Sequence, residues 1–236
     1  MNAPYGLEII ENCCDCGESG KGYFCEFSQP ALDALTKVGH KSVLPAGAIL
    51  FVEGQTPRGV FIICSGKVHL STTSREGKIL ILKTAGAGEA LGASAAVSGV
   101  NYETTAETAM PCHLTFVDRK HFVELMQTHP EIALQTAQCI SRDYQSAYHD
   151  IHDLVLTRSS AGKLARLLLS QVRALEEPDA PCKPTPMTHE EMAMRIGASR
   201  ETVTRLISSL RRKRLIRLDG PMLVIKDRTA LEALAV

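Results

Sequence analysis

Apolar and polar positions along this chain change their period from one region to the next, and each period predicts a different kind of element. From Val43 to about Val117, glycines at 47, 54, 59, 66, 77, 86, 88 and 92 separate short β-rich stretches: Ala48–Phe51, Val60–Ile63, Val68–Ser71 and Ile79–Lys83. Such strands divided by turns predict a β-barrel, sandwich or jelly roll, with Arg75–Lys78 as a hairpin turn. After Pro130, which suits a first helical turn, a stretch free of Pro and Gly predicts one long helix to Ala161. Ala133, Ala137, Ile140, Tyr144, Ala147, Ile151 and Leu154 alternate by four and three residues along it, forming an apolar seam. A seam of this kind packs on its own domain or pairs with its copy in a second subunit. Nearly three heptads with polar flanks favour pairing.

Gly162 and the following KLARLLLSQVRAL begin another helix, which Glu176–Pro186 interrupts with four prolines in eleven residues. Beyond this connection, Thr188-His189-Glu190-Glu191 has the pattern of a capping box and predicts a new helix start. Gly197 permits a tight turn and Ser199 caps a second helix, whose apolar face holds Val203, Leu206, Ile207 and Leu210. Helix, glycine turn and helix form the helix-turn-helix pattern. Leu215–Leu218, the turn Asp219-Gly220-Pro221 and Met222–Ile225 then predict a β-hairpin wing.

Composition narrows the class. The chain has 236 residues, 44% hydrophobic and 22% charged, which excludes global disorder and suits one or two domains. No apolar run approaches the roughly 20 residues of a membrane span, and no secretory signal pattern opens the chain. The expectation is therefore a cytoplasmic protein without a membrane partner, whose eight cysteines are metal ligands, reactive thiols or core fillers rather than structural disulfides. Charge is balanced at 26 basic and 26 acidic residues, but unevenly placed. Residues 158–236 hold 15 Lys/Arg against 9 Asp/Glu, or +6, while the remainder holds 11 against 17, or −6. A basic excess at one end suits contact with nucleic acid or a solvated helix face.

The second helix of the helix-turn-helix carries Arg200, Glu201, Thr204 and Arg205 in its first turns. Arginine can donate two hydrogen bonds to guanine N7 and O6, and a carboxylate can accept from cytosine N4. Glu201, Thr204 and Arg205 share a face with Arg200 at its edge, and Arg211–Arg214 at the other end suit phosphates. An i,i+4 ion pair between Glu201 and Arg205 is the bland alternative. The whole segment MAMRIGASRETVTRLISSLRRKRLI closely resembles the winged helix-turn-helix of the Crp/Fnr family of bacterial transcription regulators. Upstream, LPAGAILFVEGQTPRGVFIICSGKVHLS resembles the cyclic-nucleotide-binding-type β-roll of the same family, so the likeness covers nearly the whole chain.

The resemblance implies an α+β architecture with a β-roll (jelly roll), a dimerisation helix and a C-terminal winged helix-turn-helix. The corresponding segments are a Cys-rich stretch at 1–29, the β-roll at 30–128, the helix at 129–160 and the DNA-binding domain at 161–236. It implies a homodimer, paired through Ile140, Tyr144, Ala147, Ile151 and Leu154, on a palindromic operator in double-stranded DNA. Ser199, Arg200, Glu201, Thr204, Arg205, Arg211 and Arg212 are the DNA-contacting residues it implies, and RNA polymerase is the implied further partner. The arrangement RETVTR resembles members that read TGTGA-like half-sites.

Two signals are open to such a regulator. Members that bind cAMP use a Gly-Glu pair for the ribose and an Arg-Ser pair for the cyclic phosphate. Gly88-Glu89 matches the first, but Tyr102-Glu103 occupies the second, and a carboxylate there repels a phosphate. Arg58 or Lys83 remains as a cation from elsewhere. The other signal lies in ENCCDCGESGKGYFCEF, which places Cys13, Cys14, Cys16 and Cys25 within thirteen residues. Clustered thiolates with a Cys-x2-Cys spacing suit one soft metal centre, whether iron–sulfur, zinc or a dithiol pair. ETAMPCHLTF resembles the segment that supplies the distant cysteine of the Fnr-type branch, which places Cys112 with Cys13, Cys16 and Cys25 as ligands of a [4Fe-4S] cluster labile to O2 or NO. The eight-residue gap between Cys16 and Cys25 is longer than in that branch, and Cys14 is an alternative ligand. Control by a small ligand in the β-roll, or by Zn or dithiol chemistry, is the competing expectation. No P-loop, serine-nucleophile or paired-carboxylate motif stands in a convincing context, so an enzyme is not expected.

Overall fold

Between residues 40 and 118, the alternation broken by glycines folds into two four-stranded sheets. The computed structural model describes residues 24, 26–156, 159–176, 186–219 and 222–235, with backbone alone at 149–156, 173–176, 218 and 222. A short helix α1 (Gln29–Val38) precedes strands β1 (His40–Leu44), β2 (Ile49–Phe51), β3 (Gly59–Ser65), β4 (Val68–Thr73), β5 (Ile79–Ala85) and β6 (Ala90–Leu91). Helix α2 (Ala93–Ser98), β7 (Thr105–Thr108), β8 (Cys112–Asp118) and α3 (Arg119–Thr128) follow. The sheets run in the orders β1-β8-β3-β6 and β2-β7-β4-β5, as in a jelly roll. Around Arg75–Lys78, Gly77 takes φ +79° and its amide donates to Ser74 O at 2.9 Å, closing the expected turn.

Side-chain alternation on β3 and β8 gives the first sheet two buried faces. Ile63, Cys112 and Leu114 point between the sheets, where Phe51, Val68, Leu91, Tyr102 and Ala106 complete a core. Val60, Ile62 and Val117 point the other way, against Phe24, Phe27, Leu35, Phe122 and Leu125, and against Ile132 and Cys139 of the long helix. At roughly 1.5–3 kcal/mol for each large apolar side chain, both faces contribute to holding the roll.

That long helix, α4 (Pro130–Leu156), ends five residues short of the expected Ala161. A separate helix, α5 (Ser160–Glu176), begins four residues later. The cause is local: Ser159 Oγ accepts the amide of Gly162 at 2.9 Å, so a serine rather than Gly or Pro marks the new start. Helices α6 (His189–Ile196) and α7 (Arg200–Arg212), strands β9 (Ile216–Asp219) and β10 (Met222–Ile225), and α8 (Arg228–Leu234) complete the chain. β9 and β10 of the wing pair antiparallel, Ile216 with Ile225 and Asp219 with Met222, so Asp219, expected in the turn, belongs to the strand. Gly220 and Pro221 of that turn lie outside the described residues.

The chain divides into two units, one taking the residues up to Thr72 with Lys83–Gln145, the other Thr73–Leu82 with the residues from Ser146 onward. Helix α4 thus contributes to both. In the second unit, Leu164, Leu168, Met192, Ile196, Val203, Ile207, Leu210, Ile216 and Leu231 form one core.

Candidate DNA-reading surface and effector region

The reading surface is built by caps. Thr188 Oγ1 accepts the Glu191 amide at 3.1 Å while Glu191 Oε2 accepts the Thr188 amide at 2.6 Å, so the predicted capping box starts α6. Gly197 ends the helix at φ +66°, a left-handed conformation that other residues rarely take. Two residues on, Ser199 Oγ accepts the Thr202 amide at 3.2 Å and starts α7. Val203, Ile207 and Leu210 then bury one stripe of α7 and turn Glu201, Thr204, Arg205, Ser208, Arg211 and Arg212 outward.

Every DNA-contacting residue expected from the sequence therefore lies on, or caps, this exposed part of α7. The bland alternative does not form: among the described residues, no ion pair joins Glu201 to Arg205. Glu201 instead turns back to its own amide and to Ser199, and these bonds, with Arg200 nearby, hold its carboxyl below the usual carboxylate range. The group stays ionised and able to accept throughout the neutral range. Two residues of this surface escaped the sequence reading. Ser208 donates to Thr204 O at 2.9 Å. His189, read only as part of a cap, lies 2.9 Å through Nδ1 from Thr204 Oγ1. No local signal announces a partner fifteen positions away on another helix.

Helix α4 presents different faces to core and solvent. Ile132, Thr136 and Cys139 are buried, whereas Ala137, Tyr144 and Ala147 of the expected seam are exposed and Ile140 is half-buried. Tyr144 is 70% exposed and the neighbouring Tyr148 64%. Ile151 and Leu154 continue the helix where only backbone is described.

At the effector region, Lys83 Nζ lies 2.6 Å from Glu89 Oε1 and 2.6 Å from Asp143 Oδ1 on α4. The amide of Gly86 donates to Glu89 Oε2 at 2.6 Å. Burial draws the Lys83 pKa down, but the two carboxylates outweigh it and the net shift is upward. Glu89 is thus a structural residue of the turn, and Lys83 is already committed. Tyr102 is buried, with its ring stacked on Phe51 at 4.0 Å between centroids and its hydroxyl donating to Gly59 O at 2.9 Å.

Of the expected cluster ligands, Cys13, Cys16 and Cys25 lie outside the described residues, as does the alternative Cys14. Cys112 is fully buried, and its thiol donates to Met110 O at 3.1 Å and Lys67 O at 3.3 Å. Burial pushes this thiol up. Its sulfur faces the core between the sheets, not α4, which packs on the opposite face. The first turn of α4 is met instead by Ser28, whose amide donates to Glu131 Oε2 at 2.9 Å and whose hydroxyl donates to Glu131 Oε1. Among the described residues, no group of three or more His, Cys, Asp or Glu side chains is placed to hold a metal ion. Burial and then Asp143 push the thiol of Cys139 to about 11, leaving it an inert filler. No helix among the described residues is long and apolar enough to cross a membrane.

Comparisons with known proteins match two separate stretches of the chain. Residues 41–129 match the cyclic nucleotide-binding domain family, and residues 162–234 match the Crp-like helix-turn-helix domain. The chain belongs to the Crp/Fnr family of transcription regulators. This regulator is 28% identical over 200 residues to the cAMP-activated global transcriptional regulator CRP of Haemophilus influenzae, covering 83% of this chain and 88% of that one. It is also 28% identical over 208 residues to a CRP-like cAMP-activated global transcriptional regulator of Mycobacterium tuberculosis, covering 87% and 92%. In fold it is similar to the c-di-GMP-responsive global regulator CLP of Xanthomonas campestris, with a TM-score of 0.71 and 20% identity over 84% of this chain and 99% of that one. FixK2 of Bradyrhizobium japonicum gives a TM-score of 0.68 at 19% identity, over 84% and 98%.

Proposed function

We propose that the regulator acts as a homodimer, paired through α4, where Tyr144 and Ala147 of the seam are exposed, and binds palindromic operators with TGTGA-like half-sites. Each α7 enters a major groove about one helical turn from its twin. The carrying observation is the exposed row on α7: Arg205 is free of carboxylate partners among the described residues, and beside it Glu201 is ionised and held from behind. Arg200 and Arg205 read guanine, Glu201 accepts from cytosine, and Arg211 and Arg212 neutralise phosphates.

A cyclic nucleotide is a poor effector for this roll. Tyr102, stacked on Phe51, and Glu103 stand in place of the Arg-Ser pair that would hold the phosphate, and Lys83 is held by Glu89 and Asp143. Calorimetry with cAMP should show no saturable heat at micromolar protein. A stoichiometric isotherm would restore the nucleotide as effector.

We place control instead in the N-terminal cysteines, as thiolate ligands of a [4Fe-4S] cluster: Cys13, Cys16 and Cys25, with Cys112 as the fourth. The donor set suits iron–sulfur in kind. Cys112 Sγ is turned into the core between the sheets and donates to Lys67 O and Met110 O, so ligation requires this thiol to give up both bonds. Bound by these residues, a cluster supplies an oxygen-labile redox centre. The two bonds from Ser28 to Glu131 tie the end of the cysteine-bearing segment to α4, so a change of order in that segment reaches the dimer helix directly. Anaerobic reconstitution should yield visible absorption and four irons per chain. Serine substitutions at 13, 16, 25 or 112 should abolish both, while Cys139→Ser retains them. An iron-free protein whose operator affinity is indifferent to air would overturn the sensor reading and leave the DNA-binding function intact.

A further inference from the structure

We infer that His189 positions Thr204 so that the threonine presents its methyl group, rather than its hydroxyl, to the bases, which makes this residue a reader of one thymine methyl in each half-site. The inference rests on the assignment of α7 as the DNA-reading helix. Thr204 is exposed between Glu201 and Arg205, yet its one hydroxyl proton and one of its two oxygen lone pairs are used within the protein. Its Oγ1 donates to Arg200 O at 3.0 Å. A carbonyl can only accept, so the single hydroxyl proton is spent there. The contact of 2.9 Å with His189 must then be donated by the imidazole, from Nδ1–H into an oxygen lone pair. This fixes the neutral ring as the Nδ1–H tautomer. With its oxygen turned back toward Arg200 and His189, the substituent of Cβ left for the groove is the methyl. A threonine methyl contacts the 5-methyl of thymine, a group that no hydrogen-bonding side chain senses.

His189 is thus a positioning residue, and Thr204 is the specificity residue it sets. The test begins with the full-length dimer selecting its own operator from random-sequence duplexes. Each thymine of that operator is then replaced in turn by deoxyuridine, which removes only the methyl. One position per half-site should lose about threefold to fivefold in affinity, the scale of one buried methyl. Thr204→Val keeps the methyl and should keep the penalty, whereas Thr204→Ser should abolish it. His189→Ala should shrink the penalty, and His189→Asn, which can still donate at the Nδ1 position, should restore it. Failure to enrich any palindrome would sink the DNA-reading assignment and this inference with it. A selected palindrome with no penalty at any thymine overturns the methyl role alone, as does a penalty that survives Thr204→Ser. A penalty unchanged in His189→Ala overturns the part given to the histidine.

Discussion

Arg205→Ala should weaken specific operator binding by roughly 1–3 kcal/mol for each half-site, the cost of one bidentate contact to guanine. Because the dimer carries two copies, the loss compounds to roughly thirtyfold or more. The residue is exposed, forms no ion pair among the described residues and lies outside the core stripe of α7, so folding should be unaffected. Fluorescence anisotropy with the operator and with a scrambled duplex separates the contributions. The scrambled duplex should be bound almost as before, since non-specific affinity comes from phosphates. Equal losses on both would reduce Arg205 to a phosphate contact. Arg211→Ala is the contrast: a weaker, sequence-independent loss together with a shallower dependence on salt.

Lys83→Met should destabilise the β-roll by about 3 kcal/mol. The reason is what it leaves behind. Glu89 is 10% exposed in its side chain, and without Lys83 its charge keeps, among the described residues, the Gly86 amide. Breaking one side of a buried pair strands the other in a poor solvent. Replacing both sides, Lys83→Met with Glu89→Gln, should recover most of the loss, and urea denaturation of the three proteins measures it. Asp143→Asn should cost less, since that carboxylate is 44% exposed. The pH dependence has a definite sign. The folded-state pKa of Lys83 is raised, so its stabilisation is complete below the ordinary lysine pKa and is lost only as pH climbs through the raised value. Between pH 6 and 9, this group should contribute no slope to stability.

Legibility in the sequence followed the range of the interactions. The DNA-binding unit was readable because its boundaries are written within four residues of each other: Thr188 with Glu191, then Gly197, then Ser199 with Thr202. The wing and the β-rich stretches were also readable from turn residues, but their partners were not. β1 pairs with β8 through contacts such as Leu44 with Cys112, and nothing near either strand announces the other. The break between α4 and α5 was missed because it carries no Gly or Pro, only the Ser159 cap. Lys83 read as a spare cation because Asp143, sixty residues away, is invisible until the helix packs. The direction of Cys112 was equally hidden. Strand alternation limits a side chain to two faces, and only the pairing tells which one meets the other sheet.

Gly66 sits against both the backbone and the sulfur of the Pro111–Cys112 step. Any larger residue at 66 would strike the sulfur, and at φ +99° the backbone there resists one in any case. A lineage that abandons the cysteine for alanine removes only the sulfur contact, since a Cβ at 66 would still lie 2.7 Å from Pro111 O and 2.9 Å from the Cα of residue 112. Glycine should therefore outlast the thiol as such regulators diverge, because the strand turn itself demands it whether or not sulfur remains at 112.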